Sequence, residues 1–176
     1  QHHTTRIINS MFRRCLLKLF EMGVVGQDKI YQYDDVDILS MARAQDGYVQ
    51  DLMMRLDNRS IYKTVYSLKL DEVREPQNLF EITDNKIKDI EGEISEDLGV
   101  DKDYIMLDIP EYPNFQEMST IVTVNGHQEK LRDISSIVKA LNVARFNHAD
   151  LCIYMPDEYS NKAVDFPFND YIPLEF

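Results

Sequence analysis

From residue 4 to residue 22 apolar side chains recur every three or four positions: Ile8, Met11, Phe12, Cys15, Leu16, Leu19 and Met22, with Arg13, Arg14, Lys18 and Glu21 between them. That spacing predicts one amphipathic helix, and Gly23 and Gly26 supply its stop. Asp34 is placed to cap a second, short helix through Val36, Leu39 and Ala42 or Arg43, with Asp37 adding negative charge to its first turn. A third helix, from about Gly47 to Asn58, carries Tyr48, Val49, Leu52, Met53 and Leu56 on its apolar side. Three helices with short connections make a helical layer rather than a self-sufficient domain.

The period changes at SIYKTVYSLKL, where Tyr66, Leu68 and Leu70 alternate with Ser67 and Lys69, the pattern of a half-buried strand. The longest helix follows, about Leu79 to Leu98. Phe80, Ile87, Ile90, Ile94 and Leu98 form its buried stripe, Gly99 stands at the C′ position, and Glu81, Asp84, Lys88, Glu91 and Glu96 form a solvated face. YIMLDIP is a short apolar strand ended by Pro110. Ile121–Val124 and His127–Leu131 read as a hairpin around Asn125-Gly126, a strong type I′ turn signal. Asp133 can cap a further helix reaching about Arg145, and ADLCIYMP makes the last strand. The tail from Asp157 to Phe176, with its prolines and aromatics, should be extended and packed on the body.

The predicted class is therefore α+β: a helical segment over residues 1–62, then over 63–176 the strand and helix order of a ferredoxin-like βαββαβ unit. Right-handed crossovers would place both helices of that unit on one face of an antiparallel sheet.

Charge supports a change of character near Tyr62. Residues 1–63 hold 9 basic and 8 acidic side chains, and residues 64–176 hold 10 and 23, a net of −13 in the second part. Such an acidic surface repels a phosphate backbone, so general nucleic-acid binding is not expected, although the near-neutral first part could hold a small anion. No apolar run approaches the ~20 residues of a membrane-spanning helix. Cys15 and Cys152, each in an apolar stretch, read as two buried thiols, which fits a reducing cytoplasm.

Few residues suggest chemistry directly. His2 and His3 are adjacent, and so diverge on a helix, while His127 and His148 are isolated and no Cys or His stands at zinc spacing. Asp34-Asp35-x-Asp37 lacks the glycine and distal glutamate of a calcium loop, and helix capping explains it. Tyr112-Pro-Asn-Phe115 could form an aromatic loop patch or simply pack. Arg55, Arg59 and Lys63 recur at four-residue intervals and would share one face if the third helix ran that far. Such a row faces water, acidic side chains or an anion, and spacing alone leaves these open.

QHHTTRIINSM, followed by an amphipathic helix, YDDVDIL and then RLDNRSIYK leading into a strand, resembles the C-terminal part of HD-domain metal-dependent phosphohydrolases of the deoxynucleoside triphosphate triphosphohydrolase type. The resemblance runs in order over about residues 1–70 and continues as architecture to about Pro156. It implies a divalent metal such as manganese, magnesium or iron, held by a His, a His-Asp doublet and a later Asp upstream of this segment; the sequence contains no His-Asp doublet. It further implies that Gln1 walls the substrate deoxyribose, that His2 and His3 border an effector nucleotide, and that Arg59 and Lys63 reach effector phosphates. His3 stands where those relatives carry Lys, and a neutral imidazole attracts phosphate less.

On this reading the helix at Gln1 continues one begun upstream, and the chain is an assembly or regulatory region of a longer protein, inactive alone and without a cofactor of its own. Its partners would be the catalytic HD domain of the same protein, further copies of itself and an effector nucleotide. The alternative is a non-enzymatic module binding a small ligand or another protein.

Overall fold

The computed structural model describes residues 3–74, 76–110, 120–138 and 150–173. Helix α1 (His3–Glu21) buries Ile7, Met11, Cys15 and Leu19, one residue per turn, and ends where Gly23 takes a φ of 70°. Helix α2 (Asp35–Arg43) begins in a full capping box. The Asp37 N–H donates to the Asp34 carboxylate at 2.9 Å, and the Asp34 N–H donates to the Asp37 carboxylate at 3.2 Å. Helix α3 (Tyr48–Asp57) buries Val49, Leu52 and Met53.

Strands β1 (Lys63–Lys69), β2 (Met106–Asp108) and β5 (Asp150–Met155) form a sheet in the order β1-β5-β2, with β5 antiparallel to both neighbours. Helix α4 (Asp84–Leu98) crosses between the parallel β1 and β2, so this is a split βαβ unit. The class is α+β as expected, but strand order departs from a complete ferredoxin-like sheet. Strands β3 (Ile121–Val124) and β4 (His127–Lys130) form a separate two-stranded sheet, and β5 takes the position between β1 and β2.

Side-chain chemistry accounts for this choice. In β5, Leu151, Ile153 and Met155 face one side and Cys152 and Tyr154 the other, so the strand is apolar on both faces and suits the centre. HQEK in β4 cannot be buried on either face. The hairpin turn itself is as predicted, with Asn125 and Gly126 at φ 51° and 83°.

Helix α4 is shorter at its start than the spacing predicts. Thr83 accepts from the Lys86 N–H and caps the helix, while Pro76–Glu81 forms a 3-10 turn. Its end at Gly99, φ 61°, is where expected. Of the helix predicted after Asp133, the structure describes one turn, α5 (Leu131–Ile134), and, after a break at Ser135, a helical start at 136–138 whose Val138 N–H donates to the Ser135 hydroxyl at 3.3 Å; residues 139–149 and the Tyr112–Phe115 patch lie outside the described residues. The tail coils into 3-10 turns at Asp157–Ala163 and Phe168–Asp170 and buries Ala163, Phe168 and Ile172.

The result is three layers. Met106, Cys152 and Tyr154 pack with Ile7, Met11, Leu52 and their neighbours on α1–α3. Leu107, Leu151, Ile153 and Met155 pack with Ile90, Ile94 and Leu98 of α4 and with the tail. Each large apolar side chain so buried contributes roughly 1.5–3 kcal/mol.

Candidate functional site

The start of α1 lies against the start of β1: the His3 imidazole Nε2 and Thr64 Oγ1 share a hydrogen bond of 2.6 Å. Lys63, the neighbour of Thr64 on the opposite side of the strand, is exposed, as is Arg59. Neither makes an ion pair among the described residues. Arg59 has a φ of 58° and occupies the left-handed C′ position of α3, where the Ser60 N–H donates to the Arg55 carbonyl at 2.9 Å and the Arg59 N–H to that of Leu56 at 3.2 Å. Glycine is the usual residue there. An arginine strains the backbone and leaves its guanidinium in solvent.

This geometry corrects the idea of one cationic helix face. The helix ends at Asp57, so Arg59 sits on the turn and Lys63 on the strand. Arg55, still helical, is taken up by Asp51 at 2.7 Å and by Glu158 of the tail, and stacks over the rings of Tyr62 and Tyr104 at 5.7 and 5.8 Å. The structure thus brings His3 to the segment that carries Lys63 and removes Arg55 from the row. Gln1 and His2 lie outside the described residues.

A second feature escaped the sequence reading. A cleft of about 280 Å³ runs between α1 and α4 over β2, lined by both signs of charge. At its floor Glu91 is 2% exposed, a correction to its predicted place on a solvated face. Its carboxylate accepts from Arg14 of α1 and, at 2.9 Å, from the Leu107 N–H of β2. Burial is the largest single influence on Arg14 and disfavours its charge, yet the Glu91 hydrogen bond and the attraction of nearby negative groups, Glu91 first, together outweigh it and raise the guanidinium pKa.

The signal was present: Ile87, Glu91, Ile94 and Leu98 are spaced four, three and four apart, so Glu91 stands in the apolar stripe. Nearby, Asp108 binds Arg6 Nε at 2.6 Å and accepts from the Tyr154 hydroxyl at 2.9 Å. Lys18 reaches Asp103 at 2.8 Å and Lys88 reaches Glu21 at 2.8 Å. These pairs fasten α1 to α4 and β2, and every acid among them already has a cation.

Cys15 and Cys152 are buried thiols, as expected, and burial raises both pKa values, that of Cys15 to about 11. Among the described residues no three His, Cys, Asp or Glu side chains gather where a metal ion could be held, and no helix is long and apolar enough to cross a membrane.

Uncharacterized protein MJ1154 of Methanocaldococcus jannaschii is 23% identical over 159 residues, which cover 89% of this chain and 34% of that protein. Among solved structures, Phosphohydrolase (BT4208) from Bacteroides thetaiotaomicron is similar at 15% identity with a TM-score of 0.43, over 88% of this chain and 45% of that one. The chain therefore spans about a third of the length of the curated relative. The family model described as the HD associated region matches residues 1–176, and the chain belongs to that family.

Proposed function

We propose that this HD-associated region is the assembly and regulatory part of a nucleotide phosphohydrolase, seated beside a metal-bearing catalytic HD domain of the same protein. The family match over residues 1–176 carries the reading. The resemblance of QHHTTRIINSM and RLDNRSIYK to the triphosphohydrolase type adds the nucleotide. The same resemblance implies a divalent ion in the HD domain, held by a His, a His-Asp doublet and a later Asp.

Within this reading Gln1 walls the substrate sugar, and His2, His3, Arg59 and Lys63 border an effector nucleotide. The exposed Arg59 and Lys63, together with the strain accepted at Arg59, support that assignment. A phosphate held by both would gain charge-assisted hydrogen bonds of about 1.5–3 kcal/mol each. Soluble cytoplasmic action on free nucleotides completes the proposal.

The test uses the complete protein with manganese and a panel of deoxynucleoside triphosphates. Arg59→Glu and Lys63→Glu should each weaken nucleotide activation about tenfold or more, or impair assembly. An unchanged nucleotide response in both variants removes the site. The 176-residue chain alone should release neither phosphate nor triphosphate. The rival reading, a non-enzymatic binding module, is favoured by one observation: α1–α3 already pack on the sheet without another chain. Binding of a partner or small ligand with no nucleotide hydrolysis in the complete protein would select it.

A further inference from the structure

The β3–β4 hairpin stands apart from the main sheet, and its two edges differ. Strand β4 reads HQEK and is fully exposed, its charges protecting it against pairing. Strand β3 reads IVTV: β-branched, uncharged, and mostly exposed, with Ile121 at 60%. Val124 pairs with His127 across a two-residue turn, and Val122 with Glu129, so the amides of Val122 and Val124 turn toward β4. The Leu131 N–H donating to the Thr120 carbonyl at 2.9 Å continues that alternation. The N–H and C=O groups of Ile121 and Thr123 therefore point outward, and among the described residues they have no partner. A two-stranded hairpin is marginal in water without a third strand or a covered face.

We infer that the open edge of β3 is a docking strand for β3 of a second copy, giving a four-stranded sheet β4-β3-β3-β4 across a twofold axis. The inference deepens the assembly role proposed above and rests on that reading only for its biological purpose. Charge selects the contact. Residues 64–176 carry −13, yet 120–134 hold two acids, Glu129 and Asp133, against two bases, Lys130 and Arg132, so this patch adds no local like-charge repulsion where two acidic copies meet.

Register selects a like strand. An antiparallel twofold pairing centred on Val122 sets Val122 opposite its own copy and Ile121 opposite Thr123, and all outward groups of those two residues are satisfied. It also makes β-branched cross-strand pairs and leaves only the charged β4 edges exposed.

The test is made on the complete protein, in Val122→Cys and, as control, Gln128→Cys on the β4 edge. Directly opposed residues of a non-hydrogen-bonded pair approach to about 4.5 Å between Cα atoms, within disulfide reach. Cys15 and Cys152 are buried and do not compete. Mild oxidation should cross-link Val122→Cys into a dimer on a non-reducing gel, at least tenfold more than Gln128→Cys. Thr123→Pro, which removes one outward N–H and spares the ladder to β4, should raise the dimer dissociation constant about tenfold by sedimentation.

Equal cross-linking of the two cysteine variants, or a dissociation constant unmoved by Thr123→Pro, overturns the docking edge. Those results leave the phosphohydrolase reading intact if the protein still hydrolyses nucleotides. Cross-linking in a protein without that activity upholds the edge and overturns the reading it serves.

Discussion

A single acid shows how position outweighs residue type. Glu91 lies in the apolar stripe of α4, where Arg14 and the Leu107 N–H converge on its carboxylate. Removing one member strands the other in a site where the Arg14 side chain is 17% exposed. Glu91→Ala should therefore cost about 3 kcal/mol in urea unfolding, and joint replacement of Glu91 and Arg14 by methionine should cost less than the single change.

Acid should act through the exposed carboxylates. The Arg55 hydrogen bond holds the Glu158 pKa below the usual range, and the Lys88 hydrogen bond does the same for Glu21. Folded values below unfolded ones mean stability fully present above about pH 4.3 and lost as pH falls through the lower, folded values. Melting temperature followed from pH 7 to 3 should fall more steeply in the parent than in Glu158→Gln.

At the scale of elements, two of the left-handed helix ends make opposite predictions. Gly99, φ 61°, closes α4, with Lys162 Nζ donating to the carbonyls of Leu98 at 3.3 Å and Gly99 at 2.7 Å. Alanine there must adopt a conformation unfavourable to a Cβ, so Gly99→Ala should destabilise by about 1 kcal/mol. Arg59 closes α3 in the same conformation without being glycine. Arg59→Gly should stabilise by roughly 0.5 kcal/mol while weakening the nucleotide response; a stability gain with an unchanged response would assign Arg59 to structure alone. The glycine stops, the Asp34 cap and the Asn125-Gly126 turn were legible because each is decided within four residues. The start of α4 was misread because apolar spacing continues through a 3-10 turn.

At the scale of the molecule, β5 joins what sequence reading separated at Tyr62. Its Tyr154 and Cys152 belong to the core of α1–α3, and its Leu151, Ile153 and Met155 to the core under α4. Tyr154→Ala should cost about 3–5 kcal/mol. The parent should unfold in one transition, with helical circular dichroism and tyrosine fluorescence coincident; separate transitions would mark 1–62 and 63–176 as independent units. The tail strengthens the same linkage through Glu158, which binds Arg55 of α3, while Asn169 and Tyr171 tie the tail to Tyr66 and Asp97 within the second part.

The sequence by itself determined the α+β class, most element boundaries, the hairpin and the buried thiols, because periodicity, caps and turn residues act over one or two turns of chain. It also supplied the motifs that point to the HD-associated family. Only the tertiary structure decided that β5 lies between β1 and β2, that the cation row breaks at Arg59, and that Arg14 answers Glu91 in the core. Each depends on which distant segment fills a given face or satisfies a given charge: Met155 opposite Lys63, Glu158 beside Arg55, Arg14 over Glu91. Pairings 77 and 103 residues apart have no local signature, since the free energy that selects them appears only when both partners leave water together.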